Sequence, residues 1–287
     1  MAATHRVAGL GLRSWGRPGR GPCVVALHGL TSTGDVWADL AARVRAVVPG
    51  ACVLAPDLPG RGGSVAVPAP PGLDGLADRV VAAVRERATE PVVVVGHSMG
   101  AFLAPLVAAR LGPRLAGVVL LDGGCAPQPS PVLHPLVVRA VSTLQGRRLA
   151  RAWEDVDAFV QAVEGRAVAH RPDLLPAVRT WSAAALTGPP GALRVALDRR
   201  RLADDAVDTL CGPTRLPVIA GTGVPVRLLA ATRGADDRRA PFLSDAALAT
   251  AKAQLPRLHV ERVDANHVTI LLDPAPAAAV HGVLAAA

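Results

Sequence analysis

A run of four valines ends abruptly in small and polar residues at residues 91–102, which read PVVVVGHSMGAF. Consecutive β-branched residues favour a strand, and a continuous apolar run is typical of a strand buried on both faces. The apolar stretch that begins at Met99 favours a helix. Polar groups at the end of a buried strand are unfavourable unless they are hydrogen-bonded or belong to a functional site. This stretch therefore predicts a strand, a sharp turn with a polar site, and a helix.

The same alternation of apolar runs and helical stretches recurs along the chain. Short runs rich in Val and Leu, bounded by Gly, Pro or Asp, lie at residues 23–29, 51–57, 91–96, 116–124, 224–232 and 257–264. Amphipathic or Ala-rich stretches that favour helices lie at residues 36–48, 76–88, 99–111 and 244–255. The start, residues 5–19, is typical of two short antiparallel strands. Together these segments predict an α/β fold, with a mostly parallel sheet of about eight strands and helices on both faces.

The alternation breaks after Gly124. Residues 125–222 begin with a Pro-rich stretch and continue with mostly helical, Arg-rich sequence that ends in Gly- and Pro-rich turns. We interpret this segment as a helical cap inserted between two strands. The predicted division is a core domain of residues 1–124 and 223–287 with a cap of residues 125–222.

The net charge of +8 comes almost entirely from arginine. The arginines are scattered rather than clustered, which argues against nucleic-acid binding and is typical of a GC-rich coding bias. Basic charge still favours small anionic substrates. The four cysteines lie far apart with no CxxC pair, so we expect reduced, mostly buried thiols and no metal site.

No secretory signal is visible at the N-terminus, which favours a cytoplasmic protein. Residues 91–109 carry no Asp, Glu, Lys or Arg, but glycines and prolines interrupt them, so we expect no membrane span. A monomer or a homodimer fits these observations.

Ser98 lies at the centre of Gly-His-Ser-Met-Gly, residues 96–100, at the predicted strand-to-helix junction. The G-x-S-x-G pattern in that context indicates a nucleophile, because the turn exposes the serine while its glycines keep neighbouring side chains away. The N–H of Met99, at the start of the helix, can stabilise an oxyanion. A serine also needs a base, and an imidazole serves near neutral pH.

Three segments make the chain resemble the α/β-hydrolase-fold serine hydrolases. They are His28-Gly29 followed by seven residues and Trp37, the DLPGRGGS segment at residues 57–64, and the GHSMG motif. This resemblance implies that the backbone N–H groups of Leu30 and Met99 form the oxyanion hole. It also implies that His267, in the loop after the last predicted strand, is the catalytic base.

The acid of the triad has three candidates. Asp237 is favoured, because it follows the strand of residues 224–232 in the G-x-x-D placement of the resembled superfamily. Asp236 is one residue away from that placement. Asp122 follows the strand of residues 116–124, where the similar polyketide-synthase thioesterases carry their acid.

The resulting prediction is a carboxylesterase that acts on a small acyl substrate through Ser98, His267 and Asp237, with no cofactor or metal. A thioesterase or a lactonase would use the same residues. A cofactor-free perhydrolase and a non-catalytic small-molecule binder of the same fold are the remaining alternatives.

Overall fold

A computed structural model describes residues 2–88, 91–125 and 134–286. The strands of its large sheet are β1 (Ala3–Val7), β2 (Leu10–Trp15), β3 (Cys23–Leu27), β4 (Cys52–Pro56), β5 (Val92–His97), β6 (Leu115–Leu121), β9 (Val226–Ala231) and β10 (His259–Val263). Their order across the sheet is β1-β2-β4-β3-β5-β6-β9-β10. β2 pairs antiparallel with β1 and β4, and the other neighbours pair in parallel. The predicted α/β hydrolase fold with a mostly parallel eight-stranded sheet is confirmed.

Helices cover both faces of this sheet. They are α1 (Ala38–Val47), α2 (Leu73–Arg87), α3 (Met99–Leu111), α8 (Asp245–Gln254) and α9 (Ala275–Ala285). Successive side chains of a strand point to opposite faces. Val92 and Val94 accordingly pack in the cluster that contains α2, α3 and α8, whereas Val93 and Val95 pack in the cluster that contains α1 and α9. The valine run is therefore buried on both sides, which places β5 in the centre of the molecule.

A helical segment is inserted between β6 and β9. It contains α4 (Pro135–Leu149), α5 (Val156–Val163), α6 (Leu175–Ala185), the short strands β7 (Leu186–Thr187) and β8 (Arg194–Val195), and α7 (Arg199–Cys211). Helix α4 packs on α7, and α5 packs on α6. Most of the Pro-rich stretch predicted to open this segment, residues 126–133, lies outside the described residues. We refer to residues 134–222 as the cap segment, and the domain limits given above stay a prediction.

The loop after β4 joins the core to the cap segment. Arg61, which is 1% exposed, forms an ion pair with the fully buried Asp205 of α7. Backbone hydrogen bonds from Gly62 N to Ala196 O (2.9 Å) and from Asp198 N to Gly60 O (2.8 Å) flank this pair. The cap segment is thus attached in part through an ion pair that is shielded from water.

Within the three described ranges, no helix has the length and apolar character needed to cross a membrane.

Candidate active site

Ser98 lies in a strained turn at the end of β5. Its backbone φ of 53° and ψ of −121° lie in a region that L-residues rarely adopt. The glycines on either side are sterically required: a Cβ on Gly96 would lie 2.2 Å from Gly100 O, and one on Gly100 would lie 2.0 Å from Leu27 O. The turn therefore holds the serine hydroxyl at the edge of a cavity instead of in the core.

The side chains of Ser98, His267 and Asp122 form a continuous hydrogen-bonded chain. His267 Nε2 lies 3.1 Å from Ser98 Oγ, and His267 Nδ1 lies 2.6 Å from Asp122 Oδ2. Because a carboxylate accepts, Nδ1 carries the proton and Nε2 is free to accept the serine hydroxyl proton. Asp122 is fully buried and its other oxygen accepts from Ala231 N at 3.1 Å. This arrangement can activate a nucleophile.

Asp237, the acid preferred from the sequence, is not the carboxylate that is hydrogen-bonded to His267 in the structure. Asp237 Oδ1 instead accepts hydrogen bonds from Arg233 Nε and Asn266 Nδ2, both at 2.9 Å. Asp122 directly follows β6, the neighbour of the strand that leads to the serine. Its backbone φ of 44° is in the left-handed region and helps to turn the side chain toward His267.

Asp236, the other alternative acid, also contacts a different group. Its Oδ2 lies 3.3 Å from Arg239 Nε, and the residue lines the cavity in front of the serine. Of the three carboxylates considered from the sequence, Asp122 is the one bonded to His267.

The two backbone groups assigned to the oxyanion hole come from the start of α3 and from the loop after β3. Met99 is the first residue of α3, where N–H groups have no intrahelical acceptor. Leu30 lines the cavity. The carbonyl of Gly29 accepts from His28 Nδ1 (2.7 Å) and Ser32 N (3.3 Å). Because a trans peptide holds its N–H opposite its C=O, the Leu30 N–H points away from those donors.

Two buried side chains brace the loop that carries Leu30. His28 Nε2 accepts from Leu58 N at 2.9 Å, and complete burial lowers the pKa of His28 to about 3, so its ring is neutral. Arg61 Nε donates to Leu30 O at 3.0 Å. The residue that anchors the cap segment therefore also fixes this loop, a connection with no signal in the sequence.

His97 precedes the serine and contacts the loop of His267. Its Nε2–H donates to the backbone carbonyl of His267 at 2.8 Å, and the two rings lie 4.8 Å apart. Burial lowers the pKa of His97 to about 3, so the ring is neutral. This bond positions the backbone of His267 beside the turn of Ser98.

Asn266 supports the loop of His267, and no sequence motif identified it. It is 1% exposed, and its Oδ1 accepts from Val268 N and Thr269 N at 2.9 and 2.8 Å. Its Nδ2 donates to Asp237 and, at 2.6 Å, to the carbonyl of Ala167 in the cap segment. All four hydrogen-bonding positions of its amide are used. The Asn-x-x-Thr pattern of an Asx-type turn was the available sequence signal.

A cavity of about 380 Å³ lies between the core and the cap segment, in front of Ser98. The core contributes Leu30, His97, Ser98, His267, Val268 and Leu271 to its wall, and the cap segment contributes Gln145, Val163, Glu164, Arg166, Ala167 and Trp181. The wall is thus apolar in part, with a few convergent polar groups, as is common for small-molecule sites.

Among the described residues, no cluster of three or more His, Cys, Asp or Glu side chains is arranged to hold a metal ion. Cys23 and Cys52 are neighbours on β3 and β4, with sulfur atoms 3.8 Å apart, well beyond the roughly 2 Å of a disulfide bond.

The sequence model of the Alpha/beta hydrolase family matches residues 24–280. The chain therefore belongs to this family. It is similar to lipase LipV of Mycobacterium tuberculosis, with 33% identity over 141 residues, or 47% of this chain and 52% of the relative. The chain thus matches only about half the length of that relative.

Two solved structures resemble the whole chain. E-2-(acetamidomethylene)succinate hydrolase has a TM-score of 0.77 at 22% identity, with 100% of both chains covered. A thioesterase domain from the curacin biosynthetic pathway has a TM-score of 0.72 at 20% identity, with 99% of both chains covered. At these identities the resemblance concerns the fold alone.

Proposed function

We propose that this protein is a serine hydrolase that cleaves a carboxylic ester of a small acyl substrate. The observation that carries the proposal is the chain from Ser98 Oγ through His267 to Asp122, with distances of 3.1 and 2.6 Å, at the wall of a cavity. The family supports a hydrolase, and the similarity to a lipase favours an ester over other acyl bonds.

In the proposed mechanism, His267 Nε2 accepts the hydroxyl proton as Ser98 Oγ attacks the ester carbonyl. The backbone N–H groups of Leu30 and Met99 stabilise the oxyanion of the tetrahedral intermediate. His267 then protonates the leaving alcohol, and an acyl-enzyme remains on Ser98. A water molecule, deprotonated by His267, attacks this acyl group and releases the acid. Asp122 orients His267 and stabilises its imidazolium throughout.

A fluorophosphonate probe tests the nucleophile. We expect stoichiometric labelling of the protein, detected by intact mass, and complete loss of labelling in Ser98→Ala. Ser32→Ala is a matched control, because Ser32 lines the same cavity outside the hydrogen-bonded chain. Labelling that persists in Ser98→Ala contradicts the proposal, because another nucleophile then reacts. A folded protein that never reacts also contradicts it and favours a non-catalytic binder.

A panel of p-nitrophenyl esters of increasing acyl length, alongside thioesters and lactones, tests the bond that is cleaved. We expect the highest kcat/KM for oxygen esters with short to medium acyl chains, since the cavity volume is about 380 Å³. A panel in which thioesters or lactones are preferred at matched acyl length contradicts the ester assignment while leaving the triad in place.

A further inference from the structure

Glu164 places a carboxyl group in the wall of the cavity, where no described residue pairs with it. The residue follows the last residue of α5 and lines the cavity that contains Ser98 and His267. It is half-buried. Among the described residues, none forms a hydrogen bond or an ion pair with this carboxyl group.

The position is unfavourable for an anion in two respects. An acidic residue at the C-terminal end of a helix lies at the negative end of the helix dipole. Burial also disfavours the charged form and raises the pKa of Glu164 from 4.5 to about 7, against the attraction of His267. An ionisable group held in a cleft, with no hydrogen bond or ion pair to the described residues, is typical of a site that a ligand completes.

The arginines that line the same cavity do not neutralise Glu164. Arg239 is 73% exposed and pairs with Asp236. Arg166 is exposed as well. The apolar surface of the cavity includes Val163 of α5 and Trp181 of α6, and these two helices pack on each other. A carboxylate attracts an organic cation by its charge, and an indole binds one through a cation–π contact. A cavity that contains both groups favours such a ligand.

The backbone around Glu164 is fixed relative to the candidate catalytic residues. Glu164 N and Gly165 N both donate to Val160 O, at 2.8 and 2.7 Å, and Glu164 O accepts from Ala167 N at 2.9 Å. Ala167 O in turn accepts from Asn266, which precedes His267. The carboxyl group is therefore held on a rigid turn, as a binding group should be.

We propose that Glu164 is a binding subsite for a positively charged group of the substrate, so that the substrate is an ester bearing an ammonium group. The substrate assignment rests on the function proposed above. This cationic substrate differs from the anionic one predicted from the net charge. Salt screens scattered surface charges beyond about 8–10 Å, whereas a charge in the cavity acts at contact.

Calorimetric titration of the Ser98→Ala protein tests the subsite without requiring turnover. The two ligands are 4-(trimethylammonio)butyramide and its neutral carbon isostere 5,5-dimethylhexanamide, which differ in charge but hardly in shape. At pH 8 we expect the cation to bind about tenfold more tightly than the neutral amide, the usual size of a charge and cation–π contribution at a half-buried site.

The same titrations in Ser98→Ala combined with Glu164→Gln should bring the two affinities to within about twofold of each other. Glu154→Gln in the same background is the matched control, since Glu154 is an exposed glutamate of the cap segment outside the cavity wall, and it should retain the preference.

Equal affinities for the two amides in the Ser98→Ala protein, no binding of either amide, or a preference that survives Glu164→Gln would each overturn the subsite. Ester hydrolysis is measured separately in the unmodified protein. A Glu164-dependent preference for the cation without any Ser98-dependent hydrolysis would therefore refute the proposed reaction and leave the cation subsite standing.

Discussion

Asp122 Oδ2 lies 2.6 Å from His267 Nδ1, although 145 positions of the chain separate the two residues. Asp122 directly follows β6, and the loop of His267 follows β10. Parallel strands end at the same edge of a sheet, so these loops and the turn of Ser98 after β5 meet there. The sheet order β5-β6-β9-β10 makes both Asp122, after β6, and Asp237, after β9, topologically reasonable partners for the histidine.

The first prediction ranks these two carboxylates. Asp122→Asn should lower kcat by roughly ten-thousand-fold, because the amide favours the wrong tautomer of His267. Asp237→Asn should lower kcat by less than about tenfold, since Asp237 acts on Asn266 and not on the imidazole. Steady-state kinetics with a p-nitrophenyl ester would measure both, with circular dichroism as the folding control. The opposite ranking would show that His267 is oriented by Asp237 during turnover.

The second prediction concerns the turn that carries Ser98. Gly96→Ala places a Cβ 2.2 Å from Gly100 O, and we expect the free energy of unfolding to fall by at least about 2 kcal/mol because backbone must move. Gly221→Ala is the control, because a Cβ there meets nothing within 4 Å, and it should change stability by less than about 0.5 kcal/mol. Urea denaturation distinguishes the two. Similar stabilities for both variants would contradict the steric argument.

The third prediction compares a buried ion pair with an exposed one. Asp205→Ala leaves the guanidinium of Arg61 buried and uncompensated, and should lower the free energy of unfolding by about 3–5 kcal/mol. Asp204→Ala removes the partner of Arg139, whose side chain is 48% exposed, and should lower it by no more than about 1 kcal/mol. Chemical denaturation at pH 7 measures both changes. Equal losses would mean that Arg61 finds another compensating group.

The fourth prediction follows from the raised pKa of Glu164. Between its unperturbed pKa of 4.5 and about 7, the folded state binds a proton that the unfolded state has lost. The contribution of Glu164 to stability therefore decreases as pH rises through this range. Glu164→Gln removes that dependence. The free energy of unfolding of the variant minus that of the unmodified protein should therefore be larger at pH 8 than at pH 5, by about 1–3 kcal/mol.

Denaturation of both proteins at pH 5 and pH 8 measures this difference. The buried His28 and His97, each with a pKa lowered to about 3, contribute in the opposite direction, with stability that increases as pH rises toward 6.5. They are common to both proteins and cancel in the comparison. Glu154→Gln should show no such pH dependence, and a flat difference for Glu164→Gln would mean that its carboxyl group is well solvated.

The fold was predictable because its signals are local. Continuous runs such as the valines of β5 mark buried parallel strands, and the stretches between them carry the periodicity of helices. The glycine-rich start predicted two short antiparallel strands, and β1 and β2 form such a pair. The arrangement of helices within the cap segment was not predictable, since it depends on packing between helices whose sequences contain no comparable motif.

The candidate site was predictable to the extent that its residues belong to local motifs. The GHSMG motif indicated Ser98, and the loop after the last strand indicated His267. The structure places their side chains within hydrogen-bonding distance, and their catalytic roles stay predictions. The position of a loop carboxylate is determined by tertiary contacts, in this protein those of Asp237 with Arg233 and Asn266. A spacing rule could not distinguish it from Asp122.

Asn266, the residue before His267, is joined to the turn after α5 by a single hydrogen bond from its Nδ2 to Ala167 O. A chimaera that exchanged the cap segment for that of another family member would lose this carbonyl unless the graft supplied one at the same place. Transplanting substrate specificity onto this core is therefore not a modular operation, because the cap segment supplies part of the support for the loop of His267.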